Sequence, residues 1–146
     1  MPTVTQTIDI NAAIETVYSF IADRPEAATL FIPGLNRISN VSPPKAGLGQ
    51  TWDYEFNWFG LVIAGQTRCT GLERPRNYQF QTITGNRSTW TYRFEPKDAM
   101  TRVTLEVEYE VPQNMLARYA SQGVLDKMNH ERAAEALTKL KGLLEA

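Results

Sequence analysis

The sequence carries a single cysteine, Cys69, and a single histidine, His130, in 146 residues. One cysteine excludes an intramolecular disulfide. With one histidine beside it and no carboxylates clustered at ligand spacing, no standard metal site is expected. Charge of one sign is also lacking: 15 Lys+Arg stand against 16 Asp+Glu, a net charge of −1. That balance argues against a nucleic-acid surface and against a basic membrane-facing patch. No apolar run approaches the ~20 residues of a membrane helix, so no integral membrane association is expected. The N-terminus, "MPTVTQTIDIN", lacks the apolar stretch of a signal peptide, which makes a cytoplasmic location the expectation. There is no Gly-rich phosphate loop and no Gly-x-Ser-x-Gly elbow. "GLVIAG" follows a strand but enters another, so it is no dinucleotide fingerprint, and no cofactor is implied. Without repeats, linkers or low-complexity segments, residues 1–146 read as a single domain.

What is present is β texture between helical ends. "TVTQTIDI", 3–10, alternates Val4, Gln6, Ile8 and Ile10 against Thr5, Thr7 and Asp9, as a strand does. Asn11 is the expected N-cap of a short helix to about Ala22, with Ile14, Val17, Phe20 and Ile21 at helical spacing. Pro25 suits the first turn of a second short helix that ends before 33–35. Strands follow at 36–42, 50–58, 61–73, 77–84, 87–96 and 101–111. Their connections "FG", "RPRN", "GN" and "KDAM" are short, as in an antiparallel meander. Pro112 ends the sheet. Residues 113–146 read as a long helix, with a break expected near Gly123. A seven-stranded antiparallel sheet with one apolar face must cover it, and only the last helix is long enough. A twisted sheet of this size curls around that helix and leaves space beneath it.

The aromatic residues are concentrated on that face. Trp52, Tyr54, Phe56 and Trp58 share one side of a strand, with Trp58 expected at a rim. Trp90, Tyr92 and Phe94 share one side of another, and Tyr109 aligns with Val103, Leu105 and Val107. Trp and Tyr bring an N–H or O–H that needs a partner when buried, which a cavity holding water or a ligand supplies. On the last helix, Leu144, Leu140, Leu137 and Ala133 form an apolar stripe. Its upstream continuation lands on His130 and Asp126, four residues apart, the one acid–base constellation that spacing suggests. An exposed helical histidine is the competing expectation. Arg68 is mid-strand, and a bulge could turn it inward as an anion anchor or outward to solvent.

Five stretches carry a family resemblance: "IDINAAIETVYSFIAD", "PGLNRISNV", "GLGQTWDYEF", "TGLERPRNYQFQT", and "YRFEPKDAMTRVTLEVEYEVP" followed by "ALTKLKGLLEA". In this order they resemble the START-like (SRPBCC) helix-grip superfamily, of the polyketide cyclase/dehydrase and lipid-transport type. The resemblance covers nearly the whole chain. It implies an α+β helix-grip fold with a deep, largely apolar cavity between sheet and C-terminal helix. It does not fix function, because relatives both carry ligands and perform chemistry.

The leading expectation is a binding or transport protein for a hydrophobic small molecule held by Trp52, Tyr54, Phe56, Trp90, Tyr92, Phe94 and Tyr109. Tyr92→Ala is then expected to weaken binding while leaving the fold intact. The alternative is a polyketide cyclase or dehydratase acting in the same cavity, with His130, Asp126 and Arg68 as catalytic candidates. A chaperone-like role on the same fold has no motif here. Homodimerisation through an edge strand stays open.

Overall fold

The computed structural model describes residues 1–112 and 122–146. Seven strands form one antiparallel sheet: β1 (Thr3–Ile10), β2 (Leu35–Ser42), β3 (Thr51–Trp58), β4 (Leu61–Glu73), β5 (Asn77–Thr82), β6 (Ser88–Lys97) and β7 (Met100–Tyr109). Their spatial order is β1-β7-β6-β5-β4-β3-β2, so β2 to β7 run as a meander and β1 closes against β7. Helix α1 (Ile14–Ala22) and a 3-10 turn (Pro25–Leu30) follow β1, and α2 (Gln122–Glu145) ends the chain. The expected helix-grip architecture is present. The part of the last helix expected over 113–121 lies outside the described residues, and Gly123 falls in the first turn of α2.

Turn chemistry sets the registers. At the β3–β4 tip, Phe59 and Gly60 both take positive φ, 51° and 96°, the geometry whose twist matches a two-residue hairpin. Strand β4 carries a bulge between Cys69 and Gly71, where its pairing with β5 shifts. The bulge comes after Arg68, so the ordinary alternation of β4 holds up to that point. Arg68, paired with Thr51, therefore faces solvent on the convex side, while Thr67 and Cys69 are buried.

The concave face is built from cross-strand pairs. Trp52 lies opposite Thr67, Tyr54 opposite Gly65, Phe56 opposite Ile63 and Trp58 opposite Leu61. Across β5, β6 and β7, Tyr78 pairs with Tyr92, Phe80 with Trp90, Tyr92 with Leu105 and Phe94 with Val103. Rings stacked across neighbouring strands are the unit of sheet stabilisation. The opposite face of β7 carries Thr104, Glu106 and Glu108, and Arg93 pairs with Glu106 there.

Helix α2 covers the concave face with Leu125, Ala136, Leu137 and Leu140, all buried. Its last turn is clamped to the end of β1: Lys141 Nζ donates to the Asp9 carbonyl at 2.8 Å, and the Asn11 N–H donates to Glu145 Oε2 at 2.7 Å. The capping expectation is corrected: Ala13, not Asn11, takes the N-cap position of α1, without a side-chain bond. Strands β5 and β7 end two residues earlier than expected, at Thr82 and Tyr109. Two apolar clusters result. The larger packs α1 and the last turns of α2 on β5 to β7, and the smaller joins Val4, Trp58, Tyr109 and Leu125. Among the described residues no helix is long and apolar enough to cross a membrane.

Candidate functional site

Between sheet and helix lies a cavity walled by members of both clusters. Its volume is about 170 Å3. A single buried water occupies roughly 10–15 Å3, so the void is far larger than a packing defect. The sheet cannot close it because the rings of β3 and β6 stand upright across it and α2 presents small residues, Ala133 and Ala136, over the gap.

All three tryptophans of the chain, Trp52, Trp58 and Trp90, are on the wall, with Tyr54, Phe56, Tyr92 and Tyr109. Trp58 is not at a rim: it is 8% exposed. Its Nε1–H donates to Asn129 Oδ1 at 2.9 Å, and its ring meets Tyr109 edge-on at 5.5 Å. Phe94 stands behind the wall rather than on it, packed edge-on against Tyr18 at 5.0 Å. Tyr92 is both wall and core. It is 2% exposed and its ring packs against Tyr78, Phe80 and Phe94. Truncating it would cost about 3–5 kcal/mol, so Tyr92→Ala is expected to lower stability as well as alter the wall.

The wall polar groups are largely occupied by the protein itself. The Tyr54 hydroxyl donates to the Thr84 carbonyl at 2.9 Å, and Trp90 Nε1–H to Ser88 Oγ at 3.1 Å. Thr82 Oγ1 donates to the Asn86 carbonyl and accepts from the Ser88 N–H at 2.7 Å, closing the β5–β6 turn into a polar lip. Gly85 in this turn has φ +83°, and an added Cβ would come within 2.3 Å of Tyr54 Oη. Tyr78 adds its ring to the wall, but among the described residues its buried hydroxyl has no hydrogen-bond partner, nor does Gln50 Oε1.

At the α2 end the acid–base pair expected from spacing does not form. His130 Nδ1 lies 2.8 Å from the backbone carbonyl of Asp126, one turn back on its own helix, and His130 is not a wall residue. The Asp126 carboxylate instead accepts from the Tyr109 hydroxyl at 3.0 Å, and Asn129 Nδ2–H donates to that hydroxyl at 2.8 Å. The residues that α2 turns to the cavity are Asn129, Arg132, Ala133 and Ala136. Leu137, Ala133, Asn129 and Leu125 recur in steps of four, a ladder as regular as the one through His130. Arg132 lies with its Cζ 4.6 Å from the centre of the Phe59 ring, a cation–π distance.

Burial decides the protonation states. It pushes the Tyr18 hydroxyl up to about 12, and those of Tyr54, Tyr78 and Tyr92 also upward, because a phenolate would lose its hydration. These are neutral phenols at physiological pH. The Cys69 thiol is likewise pushed up by burial, which makes it inert. Among the described residues no three His, Cys, Asp or Glu side chains gather to hold a metal ion.

The family model described as polyketide cyclase / dehydrase and lipid transport matches residues 1–145. The chain belongs to that family. Solved structures of the same fold include TTHA0849 from Thermus thermophilus, with a TM-score of 0.79 and 19% identity over 97% of this chain and 95% of that one. A START superfamily protein from Mycobacterium smegmatis matches at 0.71 and 17% identity, covering 98% and 97% of the two chains. The di-domain ARO/CYC BexL of the BE-7585A biosynthetic pathway matches at 0.71 and 18%, covering 99% of this chain and 50% of that one. No curated protein is similar in sequence. At these identities the likeness establishes the helix-grip fold of the polyketide cyclase/dehydrase and lipid-transport family, and the chemistry must be argued from the cavity.

Proposed function

We propose that this family member binds a hydrophobic small molecule in the cavity, as a carrier or receptor rather than a catalyst. The observation that carries this is the void itself, about 170 Å3, faced by six of the seven expected rings and by Trp58, but not by Phe94. Trp52, Tyr54, Phe56, Trp58, Trp90, Tyr92 and Tyr109 would contact the ligand. Each 100 Å2 of ligand apolar surface removed from water contributes about 2.5 kcal/mol. Association costs of roughly 4–15 kcal/mol offset this. A lipid-sized or polycyclic ligand is therefore needed for useful affinity, and a small alcohol would not hold.

The cyclase alternative is favoured by the family and by the ARO/CYC neighbour. It needs a group that moves protons near neutral pH. The cavity tyrosines are held neutral, and His130, Asp126 and Arg68 are off the wall. Binding is thus the reading with more support. Native mass spectrometry of the protein purified from its own source tests it. A small molecule that leaves on mild activation is expected. A bare polypeptide mass, together with no uptake of an added apolar ligand, would refute it.

A further inference from the structure

Arg132 is the one formally charged residue on the cavity wall among the described residues. Arg132 is partly buried, and nothing else on that wall offers its guanidinium a counter-charge. Among the described residues none of the ion pairs involves it. Asp126 of the same helix is off the wall and accepts from Tyr109. Glu131 and Glu135 are exposed. The ring of Phe59 lies against the guanidinium. A ring contact of this kind satisfies none of the five N–H donors of the guanidinium. Trp58 and Tyr109 share the wall with it, but their polar atoms bond to Asn129 and Asp126.

We infer that the ligand is an amphipathic acid, whose apolar body fills the aromatic part of the cavity and whose single carboxylate pairs with Arg132. A planar fork of donors matches a carboxylate in two-point geometry. Placing Arg132 at the α2 end of an otherwise uncharged wall would also orient the ligand, with its apolar tail toward Trp52 and the 3-10 turn. Neutral sterols and esters would lack the pairing group and be discriminated against. This inference rests on the binding function proposed above and specifies its ligand class.

The test displaces N-phenyl-1-naphthylamine from the purified protein with decanoate and with methyl decanoate, and repeats the pair with naphthoate and its methyl ester. The wild-type protein is expected to prefer each acid over its ester by roughly tenfold or more. Arg132→Gln should bring the acid-to-ester ratio down toward one, and Arg132→Lys should keep part of the preference. If neither probe nor competitors bind, the binding function itself falls. If the probe binds but wild-type protein treats acid and ester alike, binding stands and the acid inference is overturned. An acid preference surviving in Arg132→Gln also overturns it. The wild-type acid-to-ester ratio decides the matter even if a variant fails to fold.

Discussion

Replacing Ala136 with leucine distinguishes a real void from a solid core by the sign of its effect. Ala136 is 2% exposed and faces the cavity from the middle of α2. Leucine adds three carbons, each worth about 0.8 kcal/mol when buried, or about 2.4 kcal/mol in all. Fixing the leucine rotamer takes back about 0.5–1 kcal/mol. Helix propensity is nearly unchanged. Ala136→Leu is therefore expected to stabilise the protein by about 1.5 kcal/mol, moving the urea midpoint up by roughly 0.5–1 M for a domain of this size. The same substitution in a close-packed interior costs about 1–3 kcal/mol, because neighbouring side chains must leave their rotamers. Urea unfolding followed by far-ultraviolet circular dichroism separates the two outcomes, which differ by about 3 kcal/mol. The leucine should also occupy space that a ligand needs, so the more stable variant should bind an apolar probe more weakly. A lowered midpoint would refute the claim that this space is empty.

Other substitutions probe the wall. Tyr78→Phe removes a buried hydroxyl that has no partner among the described residues, and should raise stability by about 1 kcal/mol in the same unfolding assay. Gly85→Ala forces a non-glycine residue to φ +83° and drives a Cβ to 2.3 Å from Tyr54 Oη. Backbone strain and loss of the Tyr54–Thr84 bond should together cost roughly 2–4 kcal/mol, visible as a lowered midpoint. Alkali should unfold the protein early. Burial raises the phenol of Tyr18 to about 12, and raises those of Tyr54, Tyr78 and Tyr92, whereas unfolded tyrosines ionise near 10. The unfolded state thus loses protons first. Stability is fully present below pH ~10 and falls as pH rises toward 12, by up to ~1.4 kcal/mol per pH unit for each such tyrosine. The tyrosinate absorbance of these four of the six tyrosines should appear together with unfolding rather than before it.

The sheet was legible because its signals are local. Alternation along β3, β6 and β7 places each side chain on a face, and turns such as Phe59-Gly60 join neighbours without ambiguity. Facing is not depth, however. Parity put Phe94 on the concave side with Trp90 and Tyr92 but could not say that Tyr18 of α1 would cover it. Trp58, next to a turn, is buried only because α2 brings Asn129 to its indole N–H. The helix was the least legible element for function. Two ladders of near-equal regularity run upstream from Ala133, one through His130 and one through Asn129. Only the tertiary packing of Leu125, which has no local signature, selects the second. Arg132 escaped notice because a charged residue flanked by Glu131 and Ala133 on an amphipathic helix reads as surface. Arg68 was undetermined until the bulge was placed beyond it, at Cys69 to Gly71.

The central claim is an apolar chamber that takes up one hydrophobic molecule beside the tryptophans. Titrating the protein with N-phenyl-1-naphthylamine, while exciting Trp52, Trp58 and Trp90, measures it directly, since all three face that chamber. Energy transfer to the probe should saturate at one equivalent, and Ala136→Leu should weaken it. Transfer that rises without saturating, or that is identical in Ala136→Leu, would contradict the account.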